Sequence, residues 1–228
     1  LLLPVKITVN FAEQQPGEQQ LMLSGIGNTL SLLATRLQEH QQLSDLNEQL
    51  TYHARHDALT GLPNRRYLLE ELERLIARGN RQQLGFYLIF VDLDKFKQLN
   101  DQYGHLGGDC VLIELTARVR ALLRDTDWFG RYGGEEFGIV LTNTALAGAM
   151  EVAERICLAV SSTAVTFHEQ SIETSISIGV AQLDVAGERA HELLIGQADM
   201  ALYNAKRDGR NRVVSYSAGE TEFLLKAN

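Results

Sequence analysis

Two adjacent carboxylates, Glu135 and Glu136, directly follow the glycine pair Gly133-Gly134. Glycine tolerates the backbone angles of a tight two-residue hairpin turn, and the segments on either side of the pair have the composition of strands. A hairpin tip of this kind would hold both acids outward on a rigid support. Hard divalent cations prefer oxygen ligands, so the tip is a candidate metal site.

A third carboxylate, Asp92, ends the most apolar run of the chain, near residues 84–91. The run predicts a buried strand, and a short helix is predicted directly after it, from Lys95 to Gln102. A carboxylate placed before free helix amides could serve metal and phosphate together. Helix capping is the simpler interpretation of Asp92 or Asp94 alone. The acidic hairpin favours the metal role for Asp92 and leaves capping open for Asp94.

Composition excludes several classes of function. The 228 residues are 45% hydrophobic and carry a formal net charge of -8, as expected for a folded chain without general affinity for nucleic acid. No apolar run approaches the roughly 20 residues that cross a bilayer, so we expect no membrane contact by this segment. Cys110 and Cys157 lie in apolar helical patterns, which favours a reducing compartment. We expect a cytoplasmic protein, although missing N-terminal parts could bring the full-length chain to a membrane.

The pattern along the chain predicts four segments. The chain begins at Leu1 rather than Met, and its first residues are strand-like, so it looks cut from something longer. The segments are a remnant of an upstream, sensory domain (1–17), a signalling helix (18–52), a catalytic domain (53–217) and a C-terminal tail (218–228).

Apolar residues of the signalling helix recur in heptad-like steps, at Ile26, Leu30, Leu33, Leu37, Leu43, Leu46 and Leu50. The phase slips around residues 40–42. Two interpretations remain open: a stammer in a two-stranded coiled coil, or the end of one packed helix.

Helices and strands alternate in the catalytic segment, which predicts an α+β fold with a mostly antiparallel central sheet flanked by helices. Asp109 is expected to cap the helix that follows it. The predicted helices are 67–78, 95–102, 109–124, 145–162 and 190–208; the predicted strands are 84–91, 128–132, 137–141 and 212–216, with a second hairpin within 165–183.

Five motifs together resemble those of GGDEF-domain diguanylate cyclases, in the glutamate-containing form of the signature. The resemblance covers about residues 57–216, through the motifs at 57–65, 92–109, 131–137, 177–181 and 198–211. It implies a palm-like, ferredoxin-like fold similar to nucleotidyl cyclases. It also implies condensation of two GTP molecules into cyclic di-GMP, with release of two pyrophosphates. The two sites would face each other in a homodimer, where each 3'-hydroxyl attacks the α-phosphate of the other nucleotide.

The resemblance also implies the metal ligands. Asp92, the backbone carbonyl of Leu93 and Glu135 would bind Mg²⁺, with Glu136 beside them. Two ions are expected in each active site, with Mn²⁺ as an alternative, because a metal pair acidifies the attacking hydroxyl and neutralises charge growing on the phosphate. Either Glu135 or Glu136 could accept the hydroxyl proton.

Nucleotide recognition is implied for further residues. Guanine offers an N1 proton and an amine, which a carboxylate can accept, and the resemblance assigns this task to Asn100 and Asp109, with His105 near the nucleotide. Phosphate binding is implied for the amides around Phe96 and Lys97, and for the side chains of Lys97, Lys206 and Arg210. Lys97 could also stabilise the pentavalent transition state.

A further motif, Arg124-x-x-Asp127, precedes the glycine pair and resembles the inhibitory site that binds the product in many such cyclases. Arginine can grip guanine or phosphate, and aspartate can accept from the guanine amine. Arg155 is a candidate for the opposing arm of this site. The main alternative to an enzyme is a catalytically silent module that binds GTP or cyclic di-GMP. Synthesis of mixed cyclic dinucleotides and a structural coiled-coil adaptor fit the residues less well.

Overall fold

The structure, a computed structural model, describes residues 16–79, 86–183 and 190–217. The chain divides into two compact units between Tyr52 and His53. The predicted N-terminal strand and the predicted C-terminal tail lie outside the described residues.

The first helix, α1 (Pro16–Arg55), is continuous for 40 residues. The interpretation that one helix ends near residues 40–42 is therefore wrong. Most of the leucines at the predicted heptad positions are exposed, from 42% at Leu30 to 68% at Leu37 and Leu43. Such an apolar stripe on a long helix is typical of a coiled-coil seam.

The second unit confirms the predicted α+β fold. Its helices are α2 (Arg65–Gly79), α3 (Phe96–Arg120), α4 (Leu146–Ser161) and α5 (Ala190–Arg207), and its strands are β1 (Phe86–Leu93), β2 (Trp128–Gly133), β3 (Glu136–Thr142), β4 (Val165–Phe167), β5 (Gln170–Ile172), β6 (Ile176–Gln182) and β7 (Arg212–Ser215).

Five strands form the central sheet, in the order β2-β3-β1-β6-β7. Strand β1 pairs antiparallel with β3 and β6, β2 pairs antiparallel with β3, and among the described strands the parallel pair is β6 and β7. All eight residues of β1 are buried. Alternate residues enter opposite cores: Ile89 and Val91 pack with residues of α3 and α4, whereas Leu88 and Phe90 pack with residues of α2 and α5. A strand covered on both faces needs a continuous apolar sequence, which is the pattern that predicted it.

Helix α3 differs from the two separate helices that the sequence predicts. Its backbone is non-helical only at Gly104 (φ 73°, ψ 171°), so two helical arms meet at a kink. The second arm begins directly after this glycine, and Asp109 lies inside it. The predicted capping role of Asp109 is therefore wrong, and its carboxylate remains available for another task.

The predicted second hairpin is also different. Strands β4 and β5 pair only with each other in a separate two-stranded sheet, whereas β6 enters the central sheet between β1 and β7. Alternation of apolar residues predicts strands but does not say which strands pair. The consequence for the site is that β6 supports the end of β1 from one side while β3 supports it from the other.

Candidate functional site

The register of the central sheet brings the predicted acids together. Asp92 pairs with Glu136 of β3 on one side and with Ser177 of β6 on the other. The amide of Leu93 also donates to the Glu135 carbonyl at 3.3 Å. Sheet hydrogen bonds thus join the end of β1 to the β2-β3 hairpin, so the three carboxylates lie in the same part of the sheet.

The hairpin turn lies one residue later than the sequence predicts. Gly133 pairs with Glu136, so the turn consists of Gly134 and Glu135. The register shifts between Arg131 and Gly133, which adds a residue to β2 and displaces the turn. Neither glycine has a φ in the left-handed region, so the prediction that the pair supplies positive φ angles is wrong. Glu135 is therefore a turn residue and Glu136 is a strand residue.

Asp92 is a buried carboxylate with one positive partner. Its side chain is 7% exposed, and the Lys206 ammonium lies 2.8 Å from its Oδ2 atom. Burial raises the pKa of Asp92 to about 6; Lys206 opposes the rise, and the charges of Glu135 and Glu136 add to it. The folded protein therefore holds the ionised form of this side chain at a cost, and positive charge placed there would be stabilising.

Asp94 has a different role from its neighbour. Its carboxylate accepts hydrogen bonds from the hydroxyls of Ser175 (2.7 Å) and Ser177 (2.6 Å) and from the Asn211 amide (3.0 Å). The N-cap of α3 is Lys95, in a left-handed conformation with φ 56°, and no side chain caps the helix. The capping interpretation of Asp94 is therefore wrong: it ties β6 and the start of β7 to the end of β1.

The three acids are the type of ligand that a hard cation prefers, although their side chains do not surround one common position. Within residues 16–79, 86–183 and 190–217, no three His, Cys, Asp or Glu side chains are grouped closely enough to hold a metal ion. Asp92 is buried, and both glutamates are close enough to raise its pKa. Oxygen donors of this kind suit Mg²⁺. The partly exposed glutamates would have to turn toward Asp92 to complete the site.

The residues predicted to bind guanine lie along α3. Asn100 presents a buried Oδ1 atom that has no hydrogen-bond partner in the described part of the chain. This atom lies against Gly108, where a Cβ would overlap it. Asp109 follows Gly108 directly and is half-buried, while His105 is exposed one turn earlier. A buried acceptor without a donor is costly, so Asn100 is suited to a ligand that supplies one.

The residues predicted to bind phosphate are spread around the start of α3. Phe96 and Lys97 occupy its first turn, with Lys97 exposed. Arg210 is exposed in a loop with φ 65°, whereas Lys206 is bound to Asp92 rather than free. A cavity of about 910 Å³ opens beside these residues, and its walls include Lys95 and Arg210 but none of the three candidate metal acids.

The Arg124-x-x-Asp127 motif forms a closed turn. Asp127 accepts from the Arg124 amide through its carboxylate (2.9 Å) and donates its own amide to the Arg124 carbonyl (3.0 Å). Both residues line a cavity of about 350 Å³, together with Arg120 and Trp128. The Arg155 guanidinium donates to the Leu122 carbonyl at 3.0 Å, so the structure brings it to the same neighbourhood.

Two contacts at the site were not predicted from the sequence. The ion pair of Lys206 with Asp92 joins α5 to β1, and an ion pair of Arg131 with Asp57 joins β2 to the loop before α2. All four residues lie in the motifs quoted above, but each pair is far apart in the chain. Only the sheet order and the packing of α5 bring the partners together.

Comparisons with known proteins identify the family and the fold. The family described as "Diguanylate cyclase, GGDEF domain" matches residues 54–212. Diguanylate cyclase TpbB of Pseudomonas aeruginosa is 34% identical over 203 residues, which are 88% of this chain and 46% of TpbB. Response regulator PleD of Caulobacter vibrioides is 40% identical over 164 residues, 71% of this chain and 36% of PleD. The crystal structure of the coiled coil and GGDEF domain of DgcB from Caulobacter crescentus, in complex with c-di-GMP, gives a TM-score of 0.76 at 29% identity, covering 82% of this chain and 98% of that chain.

The chain therefore belongs to the GGDEF-domain diguanylate cyclase family, as the sequence motifs predict. It spans less than half the length of the curated relatives TpbB and PleD. Among the described residues, no helix has both the length and the apolar character needed to cross a membrane.

The raised pKa of Asp92 predicts how stability depends on pH. The folded protein keeps a proton on Asp92 up to about pH 6, whereas an unfolded chain releases it near 3.8. Stability should therefore fall as pH rises through this window, by about 1 to 3 kcal/mol relative to Asp92→Asn, which cannot ionise. Urea unfolding with EDTA at pH 4 to 8 measures the difference.

The matched control is Asp94→Asn, two residues further along the chain. An amide cannot accept all three hydrogen bonds that the Asp94 carboxylate receives, so this variant should lose about 1 to 3 kcal/mol at pH 7. If the free energy of unfolding changed with pH in the same way for Asp92→Asn and the unsubstituted protein, the prediction that ionised Asp92 destabilises the fold would be wrong.

Proposed function

We propose that this chain is a diguanylate cyclase, which condenses two GTP molecules into cyclic di-GMP and releases two pyrophosphates. The observation that carries the proposal is the sheet register that places the buried Asp92 opposite Glu136, next to the Gly134-Glu135 turn. Family membership supports the same chemistry, since relatives named diguanylate cyclases are 34 to 38% identical to this chain.

The metal ligands in this proposal are Asp92, the Leu93 carbonyl and Glu135, with Glu136 beside them. Two Mg²⁺ ions, or Mn²⁺ in their place, would lower the pKa of the attacking 3'-hydroxyl and neutralise charge growing on the α-phosphate. Lys206 then has a second task. Once Asp92 has another positive partner, the Lys206 ammonium is free to bind phosphate.

The chain's own side chains carry the remaining steps. Lys97 and Arg210 bind the phosphates together with Lys206 and the amides at Phe96 and Lys97, and Lys97 stabilises the pentavalent transition state. Glu135 or Glu136 accepts the proton of the 3'-hydroxyl. Each protomer supplies one nucleotide, so the reaction needs two copies of the chain face to face.

Guanine specificity is assigned to Asn100 and Asp109, with His105 near the nucleotide. The buried Oδ1 atom of Asn100 supports this assignment, because a guanine donor would satisfy it. Adenine lacks a proton at N1 and cannot satisfy the same acceptors. An unpaired buried acceptor costs about 1 to 3 kcal/mol, which corresponds to about one or two powers of ten in preference for GTP.

Gly134 supports close approach of the substrate to the hairpin. A Cβ at this position would meet no atom within 4 Å, and the backbone does not have the left-handed φ that favours glycine. Neither internal packing nor backbone strain requires a glycine here. A ligand that lies directly against the turn gives a reason for the small residue.

The exposed stripe of α1 is proposed to pair with a second copy of the chain. Its leucines have heptad-like spacing and solvent exposure, as a coiled-coil seam requires. The DgcB structure to which this chain is similar contains a coiled coil and a GGDEF domain. An upstream sensory domain would then set the pairing of two helices, and so whether two GTP-loaded sites meet in the cytoplasm.

Product inhibition is proposed for the turn at Arg124 and Asp127. The 350 Å³ cavity beside it, lined also by Arg120 and Trp128, supports binding of a guanine base. Arg155 would provide the opposing arm of the site. Cyclic di-GMP bound there would slow the reaction that produces it.

The direct test is to incubate the purified chain with GTP and Mg²⁺ and to identify the nucleotide products by mass spectrometry. We expect cyclic di-GMP and pyrophosphate in a 1:2 ratio. Glu135→Gln should lower kcat by about 10²- to 10³-fold, because it removes a charge that acts in the transition state. Glu151→Gln, an exposed glutamate on α4, is the control and should keep full activity.

Binding of GTP without any turnover would contradict the enzymatic proposal. It would favour the silent signalling module instead. Adenine-containing products from mixed nucleotides would contradict the specificity assigned to Asn100 and Asp109.

Inhibition by added cyclic di-GMP tests the second site. Arg124→Ala should raise the inhibition constant by about 10- to 100-fold, because a bidentate arginine contact to guanine contributes about 1 to 3 kcal/mol. Arg66→Ala removes an exposed arginine of α2 and should leave the constant unchanged. Turnover that added product never slows, with or without Arg124, would refute the inhibitory site.

A further inference from the structure

The Arg131 side chain joins the acidic turn to a distant loop. Its Nε and Nη2 atoms donate to the Gly134 carbonyl at 3.0 and 2.7 Å. Its Nη1 atom lies 2.9 and 3.0 Å from the two carboxylate oxygens of Asp57. The Arg131 side chain is 16% exposed and that of Asp57 is 23% exposed, so solvent screens the pair only in part.

Asp57 is itself held firmly in the loop between α1 and α2. Its Oδ1 atom accepts from the amide and the hydroxyl of Thr60 at 2.9 and 2.7 Å. Although burial opposes ionisation, these hydrogen bonds and Arg131 keep the pKa of Asp57 below its usual value. Asn64, at the other end of the loop, is bonded to the carbonyls of Ala54 and Arg55 in the last turn of α1.

Sheet pairing of Gly133 and Glu136 restrains both ends of the turn, whereas few described bonds act on Gly134 and Glu135 themselves. Gly134 contributes no side chain, and a Cβ there would meet no atom within 4 Å in the described part of the chain. Glu135 has one main-chain bond across to β1, from the Leu93 amide at 3.3 Å. The forked contact to the Gly134 carbonyl is stronger than this 3.3 Å bond, since hydrogen bonds from a charged donor are shorter and stronger than neutral ones.

We propose that Arg131 is a positioning residue for the cyclase reaction: its guanidinium holds the Gly134 carbonyl, with Asp57 as the anchor, and so fixes Glu135 beside Asp92. The expected loss of turnover rests on the proposed function, whereas the expected hold on the turn does not. Lysine cannot replace arginine here. A single ammonium lacks the fork that reaches the carbonyl and the carboxylate at once.

Arg131→Lys tests the inference, and Arg118→Lys is a matched control. The Arg118 side chain is 15% exposed, is paired with Glu114, and donates to the carbonyls of Val160, Thr163 and Ala164. The control therefore loses the same kinds of bonds at the other end of the fold. Any general loss of stability should be similar in the two variants, as thermal unfolding would measure.

Hydrogen exchange of the amides of residues 133–137, measured without nucleotide or metal, gives the first result. Exchange should be about 10-fold faster or more in Arg131→Lys, as expected when a charge-assisted hydrogen bond is lost. It should be unchanged in Arg118→Lys. With GTP and saturating Mg²⁺, Arg131→Lys should lower kcat about 10-fold with KM changed less than about twofold, because the nucleotide-binding side chains are intact.

Unchanged exchange at residues 133–137, or an equal change in both variants, would overturn the inference whatever the activity. If Arg131→Lys does not fold, Asp57→Asn removes the anchoring charge while keeping the shape of the side chain, and the same acceleration is expected. An unsubstituted chain that makes no cyclic di-GMP would overturn the proposed function instead. Hydrogen exchange at residues 133–137 would still show whether Arg131 holds the turn.

Discussion

Antiparallel pairing of β1 with β3 and β6 is the constraint on which the rest of the structure depends. It fixes Asp92 opposite Glu136 on one side and opposite Ser177 on the other. A slip of one residue would turn Asp92 to the other face of the sheet and exchange the residues that β1 places in its two cores. Because alternate residues of β1 fill two separate cores, the hydrophobic packing opposes such a slip strongly. The position of the acids is thus secured by apolar residues that take no part in the chemistry.

The same arrangement places a charge where the protein alone stabilises it poorly. Asp92 is buried near two other carboxylates, and its positive partner is a single lysine from α5. Its neighbour Asp94, by contrast, is satisfied by three hydrogen-bond donors. The two aspartates, two residues apart, therefore differ: Asp94 strengthens the fold, and Asp92 carries a charge that a bound cation would stabilise. Strongly perturbed carboxylates in such surroundings are common at functional sites.

Much of the fold followed from the sequence, because apolar periodicity reports burial directly. The run before Asp92 predicted a central strand, and the strands around the glycine pair were also found. The kink at Gly104 and the placement of β6 were not predicted, because each depends on which elements pack together rather than on local pattern. The turn was misplaced by one residue, since a bulge between Arg131 and Gly133 leaves no mark in the composition.

In the candidate site, too, local sequence pattern predicted the residues but not the contacts that depend on tertiary packing. The motifs predicted Asp92, Asn100, Asp109 and Glu135 as site residues, and the structure brings the strand end and the hairpin together. The contacts of Lys206 with Asp92 and of Arg131 with Asp57 join residues from distant segments. Such contacts require the tertiary fold, so the sequence pointed to the residues but not to their partners.

The most direct test of the account is a crystal structure with Mn²⁺ and a nonhydrolysable GTP analogue, in which anomalous scattering locates the metal. We predict a Mn²⁺ peak bounded by the Asp92 carboxylate, the Leu93 carbonyl and Glu135, with Lys206 turned from Asp92 toward a phosphate. Bound nucleotide with no anomalous peak among these residues, and Lys206 still paired with Asp92, would contradict it.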